Sequence, residues 1–305
     1  MFFQLRLGDT ANLIKTLEAG SINAVITDPP YFIEGMGNGW NKSALEASAG
    51  RATTVGGLPV GMKFDPKQGL EFEKFMEMIA RESKRVLADD GYFVSFSQPR
   101  LYHRMAIAAE TAGFEIVDTI TWKRPGQAKA FTQDHFIRNK VKRGQLSQAA
   151  ADEILSSLSG RKTPQLRSTS ELVVVARKRD AKCVRSANAS VTWNGAPSSN
   201  LIETSARRKG KTKENMHMTV KPVDLIAHLI ELFTKPGEVV LDPFLGSGSH
   251  GVAAVSQGRS FVGFEMVPEY YDLSLQRIST AAEESKLRFK DLSDPLQRSA
   301  PSDAA

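Results

Sequence analysis

The tetrapeptide Asp28-Pro29-Pro30-Tyr31 follows directly on an apolar run, INAVIT, at 22–27. Proline cannot donate a ladder hydrogen bond and it restricts the residue before it, so two in a row end a strand abruptly. What remains at the strand's carboxyl end is a carboxylate, a stiff backbone carbonyl and a ring. That set suits one demanding reaction. An exocyclic amine on a nucleobase is a poor nucleophile because its lone pair is delocalised into the ring. Two acceptors that hold both N–H protons draw the lone pair out of conjugation. The Asp28 side chain and the Pro29 carbonyl would be those acceptors, with Tyr31 stacking on a base that has left its duplex. The plainer reading of the same residues is an Asx-type turn closed by prolines.

A second constellation lies near the other end of the chain. VVLDPFLGSGS (239–249) is an apolar strand entering a Gly-x-Gly turn at Gly246 and Gly248 and then a helix, and Glu265 closes the next strand 19 residues after Gly246. This is the pattern of a nucleoside-binding α/β unit, in which glycines let the backbone approach a ligand and an acid about 20 residues on takes ribose hydroxyls. It is not a G-x-G-x-x-G element, because His250 and Gly251 shift the spacing, and it is not a P-loop, because no Gly-Lys-Ser/Thr follows. Alone, Glu265 could be a surface acid at a strand end.

The elements that must position these residues alternate. LRLGDT opens with a short strand, and a helix capped by Asp9 or Thr10 is expected to bury Leu13 and Leu17 and close at Gly20. Residues 33–63, rich in Gly, Ser, Ala and Asn, read as a long loop beside the Asp-Pro-Pro-Tyr turn, where lids are common. Phe72, Phe75, Met76, Ile79, Val86 and Leu87 have helical spacing within 71–87; a strand follows at 91–97, a helix near 101–112 and a strand at 114–122. From 123 to about 216 the alternation breaks, leaving one expected helix at 147–158 and one strand at 171–178, which is expected to pair near 116–122. Then come a helix at 221–233 with Pro222 in its first turn, strands at 239–243 and ending at Glu265, a helix at 247–257 between them, and a last helix over 267–284 packing through Leu273, Leu275 and Ile278. The fold class expected is α/β: a mostly parallel sheet with helices on both faces. The division expected is 1–123, 124–215 as a basic insertion, 216–285, and a disordered tail at 286–305.

The chain has 305 residues, 40 Lys and Arg against 34 Asp and Glu, and one cysteine, Cys183. One cysteine excludes an internal disulfide framework and a cysteine-rich zinc site, and fits a reducing cytoplasm. No segment approaches the roughly 18 uninterrupted apolar residues of a membrane span, and MFFQLRLGDT lacks the long apolar stretch of a signal peptide. The charge is unevenly spread. Residues 123–213 hold 20 Lys and Arg and 6 Asp and Glu, a net of +14, which leaves the remainder at −8. Concentrated positive charge suits a polyanion, nucleic acid first, with a solvated basic surface or an acidic protein partner as the other readings.

The sequence resembles the S-adenosylmethionine-dependent DNA amino-methyltransferases, which modify N6 of adenine or N4 of cytosine. TDPPYF (27–32) looks like their catalytic motif, LDPFLGSGS (241–249) their methionine-moiety loop and GFE (263–265) their ribose-binding strand. MTVKP (218–222), LGDT (7–10) and ITWKR (120–124) are similar to further family elements. With the catalytic motif first and the cofactor motif last, the order resembles the circularly permuted β group, over some two thirds of the chain. The resemblance implies a Rossmann-like methyltransferase sheet and S-adenosylmethionine as cofactor, with no metal. It implies that Asp28, Pro29, Pro30 and Tyr31 form the catalytic motif, that Phe32 lines the base pocket, and that Phe244, Gly246, Ser247 and Gly248, with Asp242, approach the cofactor. Glu265 would bind its ribose hydroxyls and Asp9 its adenine amine, and Thr219 and Lys221 would flank its methionine end. Asp rather than Ser at position 28, followed by Phe32, favours adenine N6 over cytosine N4. The basic segment would be the target-recognition region, with Lys123, Arg124, Arg138, Lys140, Lys142 and Arg143 toward double-stranded DNA. A bacterial or phage restriction-modification setting, a homodimer and a cognate endonuclease follow from the family alone.

Two departures stand out. Met218 replaces a common Pro, and Ser249-His250 replaces a frequent Thr pair. Other substrates for the same motif are cytosine N4, RNA or a protein glutamine amide. A non-catalytic DNA-binding protein on this fold, and an NAD-dependent dehydrogenase, are the readings from other classes. Cytosine C5 chemistry would need a nucleophilic cysteine, and Cys183 lacks the Pro-Cys context.

Overall fold

The computed structural model describes residues 2–30, 66–124, 133–157, 169–178, 191–204 and 220–292. Ten strands lie among them: β1 (Phe3–Leu7), β2 (Ile22–Thr27), β3 (Leu87–Ser97), β4 (Phe114–Lys123), β5 (Ser170–Lys178), β6 (Thr192–Trp193), β7 (Ala196–Pro197), β8 (Leu201–Glu203), β9 (Val239–Asp242) and β10 (Ser260–Glu265). Eight form one sheet in the order β1-β10-β9-β2-β3-β5-β4-β8, and β6 and β7 make a small hairpin. β1, β10, β9, β2 and β3 are mutually parallel, whereas β5 runs antiparallel to both β3 and β4.

Both faces are covered, which is why the strands read as apolar runs rather than as an alternation with polar residues. Successive side chains still point to opposite faces. Ala24, Ile26, Val94, Phe96, Val173 and Val175 enter one core with helices Val223–Phe233, Ser249–Ser256 and Pro268–Leu292. Val25, Phe93, Val174, Ala176 and Leu241 enter the other with helices Pro66–Val86 and Tyr102–Thr111. Phe93 stacks on Phe114 across this second core at 5.2 Å, while Phe96 meets Trp122 edge-on at 6.2 Å in the first.

The structure corrects some expectations. The first helix is one turn, Thr10–Leu13, continued by a 3-10 turn at Ile14–Thr16, because Thr16 donates its hydroxyl back to the Leu13 carbonyl and the chain leaves extended at Leu17. The last helix runs to Leu292, past the expected limit at 284 and into the stretch expected to be a disordered tail. It packs through Ile278, Ala281 and Ala282, and Leu275 is exposed. The basic segment is not wholly outside the sheet. β5 does pair with β4 as expected (Ile116 with Ala176, Thr121 with Leu172), but it also pairs with β3 (Ser97 with Leu172), and β8 adds the edge beyond β4. A further helix, Gln133–Lys142, lies where the sequence pattern indicates no element. The expected loop at 33–63 and most of the expected tail lie outside the described residues.

Candidate functional site

Parallel strands point their carboxyl ends the same way, and ligands of open α/β sheets bind beyond those ends where the strand order reverses. Here the reversal falls between β9 and β2, with β10 and β1 on one side and β3 on the other. The residues beyond those ends are Asp9 after β1, Glu265 closing β10, Asp242 closing β9, Asp28 after β2 and Ser97 closing β3. Because β5 is antiparallel, its first residues lie at this same end, and Glu171 stands opposite Trp122. One row of strand ends thus brings together acids drawn from positions 9 to 265.

Asp242 ties the two halves. Its Oδ1 accepts from the Thr27 hydroxyl at 2.7 Å and from the Phe244 N–H at 3.0 Å. His250 Nδ1 stands 2.9 Å from Oδ2, and the carboxylate is 0% exposed. Buried this completely, Asp242 offers no surface to a ligand. It fixes the end of β2, hence Asp28, against the turn after β9.

The turn after β9 owes its glycines to two causes. Gly246 and Gly248 have φ of +52° and +80°, a region side-chain-bearing residues rarely adopt. Gly248 is also pressed from behind: a Cβ there would lie 2.9 Å from Ser274 Cβ. Helix packing, as well as the positive φ, therefore dictates that residue. Gly246 donates its N–H to Glu265 Oε2 at 2.8 Å, and Arg277 donates to the Ser247 carbonyl. Phe244 is half-buried and lies against Phe75 at 5.8 Å.

Glu265 is fixed before any ligand arrives. Met266 and Val267 donate backbone N–H groups to Oε1 at 3.0 and 2.9 Å, in addition to Gly246 on Oε2. A carboxylate has about four acceptor positions, so one remains, on Oε2. Burial raises its pKa above the ordinary 4.5, with Asp242 adding to the rise and the three backbone donors opposing it. Asp9 caps the short helix, accepting from the Ala11 N–H at 3.0 Å and from Asn12 at 3.2 Å. Gly8 donates to the Glu265 carbonyl at 2.8 Å, which sets Asp9 beside Glu265. A nucleoside fits these groups: a pinned carboxylate with one open acceptor position for a ribose hydroxyl, and a second carboxylate one strand away.

Asp28 is held by Lys221, whose ammonium bonds Oδ2. Lys221 also lies 3.3 Å from Glu171 Oε2 and 5.0 Å above the Phe96 ring. The lysine is 5% exposed, Asp28 15% and Glu171 12%. Burial alone would lower the lysine's pKa; Asp28 and then Glu171 outweigh it, and the pKa is raised. The family resemblance puts Lys221 at the methionine end of a cofactor, and the structure seats it against Asp28, at the end of β2. Glu171 escapes a reading of the sequence altogether. Its one signal there is an acid opening the apolar run LVVVA. Pro29 is buried and Pro30 partly so; Tyr31, Phe32 and Thr219 lie outside the described residues.

The expected DNA contacts divide. Lys123 pairs with Glu203 at 2.9 Å, and Arg124 donates to Glu171 at 3.1 Å. Arg138, Lys140, Lys142 and Arg143 are exposed on helix Gln133–Lys142 and the turn after it.

Comparison with known proteins identifies the family. A family model described as DNA methylase matches residues 22–276, and the chain belongs to that N6/N4 methyltransferase family. The type II methyltransferase M.HindIII of Haemophilus influenzae is 28% identical over 289 residues, covering 87% of this chain and 91% of the relative. The type II methyltransferase M2.DpnII of Streptococcus pneumoniae is 25% identical over 281 residues, covering 90% and 89%. Among solved structures, the PvuII DNA methyltransferase (cytosine-N4-specific) superposes with a TM-score of 0.61 at 16% identity, covering 93% of each chain. The M1.HpyAVI–SAM complex superposes at 0.55 with 21% identity, covering 91% of this chain and 99% of that one. These two likenesses establish a shared fold.

Proposed function

We propose that this chain is a site-specific DNA methyltransferase that moves a methyl group from S-adenosylmethionine to the N6 amine of an adenine flipped out of duplex DNA. The observation that carries the reading is the hydrogen bond from Thr27 to Asp242, which locks the Asp-Pro-Pro turn beside the turn that leads to Glu265. Family membership supports methyl transfer to DNA. S-adenosylmethionine, when bound, supplies a sulfonium methyl open to direct attack by an amine nitrogen.

The chain's own residues prepare that attack. Asp28 accepts one N–H of the target amine and the Pro29 carbonyl accepts the other, so the nitrogen lone pair is turned out of the ring's conjugation. Tyr31 stacks on the flipped base, and Phe32 lines its pocket. Glu265 takes a ribose hydroxyl on the open position of Oε2, and Asp9 faces the cofactor's adenine amine. Catalysis is then positioning and electrostatics, without a covalent enzyme intermediate. Asp at position 28 supports adenine. The type II naming of the relatives supports a restriction-modification setting with a cognate endonuclease.

The test is transfer of labelled methyl from S-adenosylmethionine to unmethylated duplex DNA, digested to nucleosides. The expected product is N6-methyladenine. Label in N4-methylcytosine would keep the mechanism and correct the base, while absence of label from DNA would overturn the reading. Asp28→Ala is expected to abolish transfer and retain cofactor binding; an active Asp28→Ala enzyme would remove Asp28 from its role.

A further inference from the structure

We propose that Glu171 is a positioning residue for the transfer, receiving the Lys221 ammonium when Asp28 turns to the target amine. This rests on the role given to Asp28 above. In the structure Lys221 occupies Oδ2 of the carboxylate that the amine must engage. The ammonium and the amine compete for the charge of Asp28, because the amine becomes positive as its nitrogen bonds the methyl group. Lys221 cannot settle the competition by withdrawing into water, since it is 5% exposed and an unpaired buried ammonium is strongly disfavoured.

A second seat for it is already built. Glu171 Oε2 stands 3.3 Å from the same Nζ. That oxygen is buried and, beyond this longer ion pair, accepts no hydrogen bond among the described atoms. The other oxygen is anchored by Arg124 at 3.1 Å, so the carboxylate is held in place while Oε2 stays open. Among the described residues three groups therefore face the ammonium: Asp28 from the end of β2, Glu171 from the start of β5, and the Phe96 ring from β3, 5.0 Å beneath it. A cation over a ring keeps part of its stabilisation as it slides across the face. A short movement of Nζ from Asp28 to Glu171 leaves Lys221 charged and paired and frees Oδ2. With Glu171 neutral, the ammonium has one carboxylate and stays on it.

The experiment compares wild type, Glu171→Gln and Glu171→Asp in methyl transfer to unmethylated genomic DNA. Cofactor affinity and the Lys221 side-chain resonance are measured on the same samples. Glu171→Gln is expected to lower kcat roughly 10- to 100-fold, the scale of a misplaced catalytic group, with cofactor affinity unchanged. Glu171→Asp, which keeps the charge and changes only its reach, recovers part of the rate. Lys221 in the free protein titrates at lower pH in Glu171→Gln, because one of its two carboxylates is gone. A Glu171→Gln enzyme with the wild-type rate, a Glu171→Asp enzyme no better than Glu171→Gln, or an unmoved Lys221 titration each overturns the proposal. A wild-type protein that labels no DNA counts against the reading of Asp28 instead.

Discussion

Glu265 meets two opposed demands, and pH separates them. Burial and the nearby Asp242 hold its pKa above 4.5, while three backbone N–H groups favour the ionised form. A raised carboxyl pKa means that the folded state binds its proton first. Its ionisation costs stability at neutral pH, and that cost is relieved as pH falls from the raised value toward 4.5. Cofactor binding should follow the opposite sign. Protonation removes the negative acceptor that a ribose hydroxyl needs, so affinity for S-adenosylmethionine is expected to fall on acidification from a pH above the ordinary glutamate range. Calorimetric titrations across pH check this, and Glu265→Gln should bind weakly at every pH with the acid-side dependence gone. An identical acid limb in Glu265→Gln would assign the titration to another group.

At the scale of elements, helix Ser249–Ser256 packs so closely that one methyl group is too many. A Cβ on Gly251 would lie 2.3 Å from Ile278 Cδ1 and 2.8 Å from Phe261 Cε1. Ile278 belongs to helix Pro268–Leu292 and Phe261 to β10, and both side chains are fully buried, so neither has free space to move into. Gly251→Ala is expected to cost about 1–3 kcal/mol, the usual penalty for overpacking, read as a lower denaturant midpoint at constant m. Close packing of this kind shows where sequence reading stops. The alternation of strand and helix is legible because each element carries its own period, as in Phe72, Met76 and Ile79, or its own punctuation, as in Pro29-Pro30. So are Asp28 and Glu265, each at the end of an apolar run. The partners of a side chain across the sheet carry no local mark. Glu171 looks like the polar start of a strand, and only an antiparallel β5 between β3 and β4 brings it to Lys221. Lys221 itself looks like part of a cofactor segment. Helix Gln133–Lys142 is hidden because its pattern is weak and its charges dominate.

For the whole molecule, the uneven charge sets the response to salt. Each phosphate neutralised contributes about −0.9 to the slope of log K against log salt on duplex DNA. Replacing Arg138, Lys140 and Lys142 together with Ala should weaken binding on all sequences alike and flatten that slope by about 0.9 for each phosphate no longer neutralised. An unchanged slope would move the DNA interface off helix Gln133–Lys142. The sheet order has a consequence for how the protein is made. β1 is complete by residue 7, yet its partner β10 begins at residue 260, and β2 reaches β9 only at residue 239. On the ribosome the Asp28 turn emerges early and waits for more than two hundred residues before Asp242 can hold it and Glu265 can complete the nucleoside groups beside it. A nascent or prematurely terminated chain thus carries the Asp28 turn supported by β3 alone, without Asp242 or Lys221.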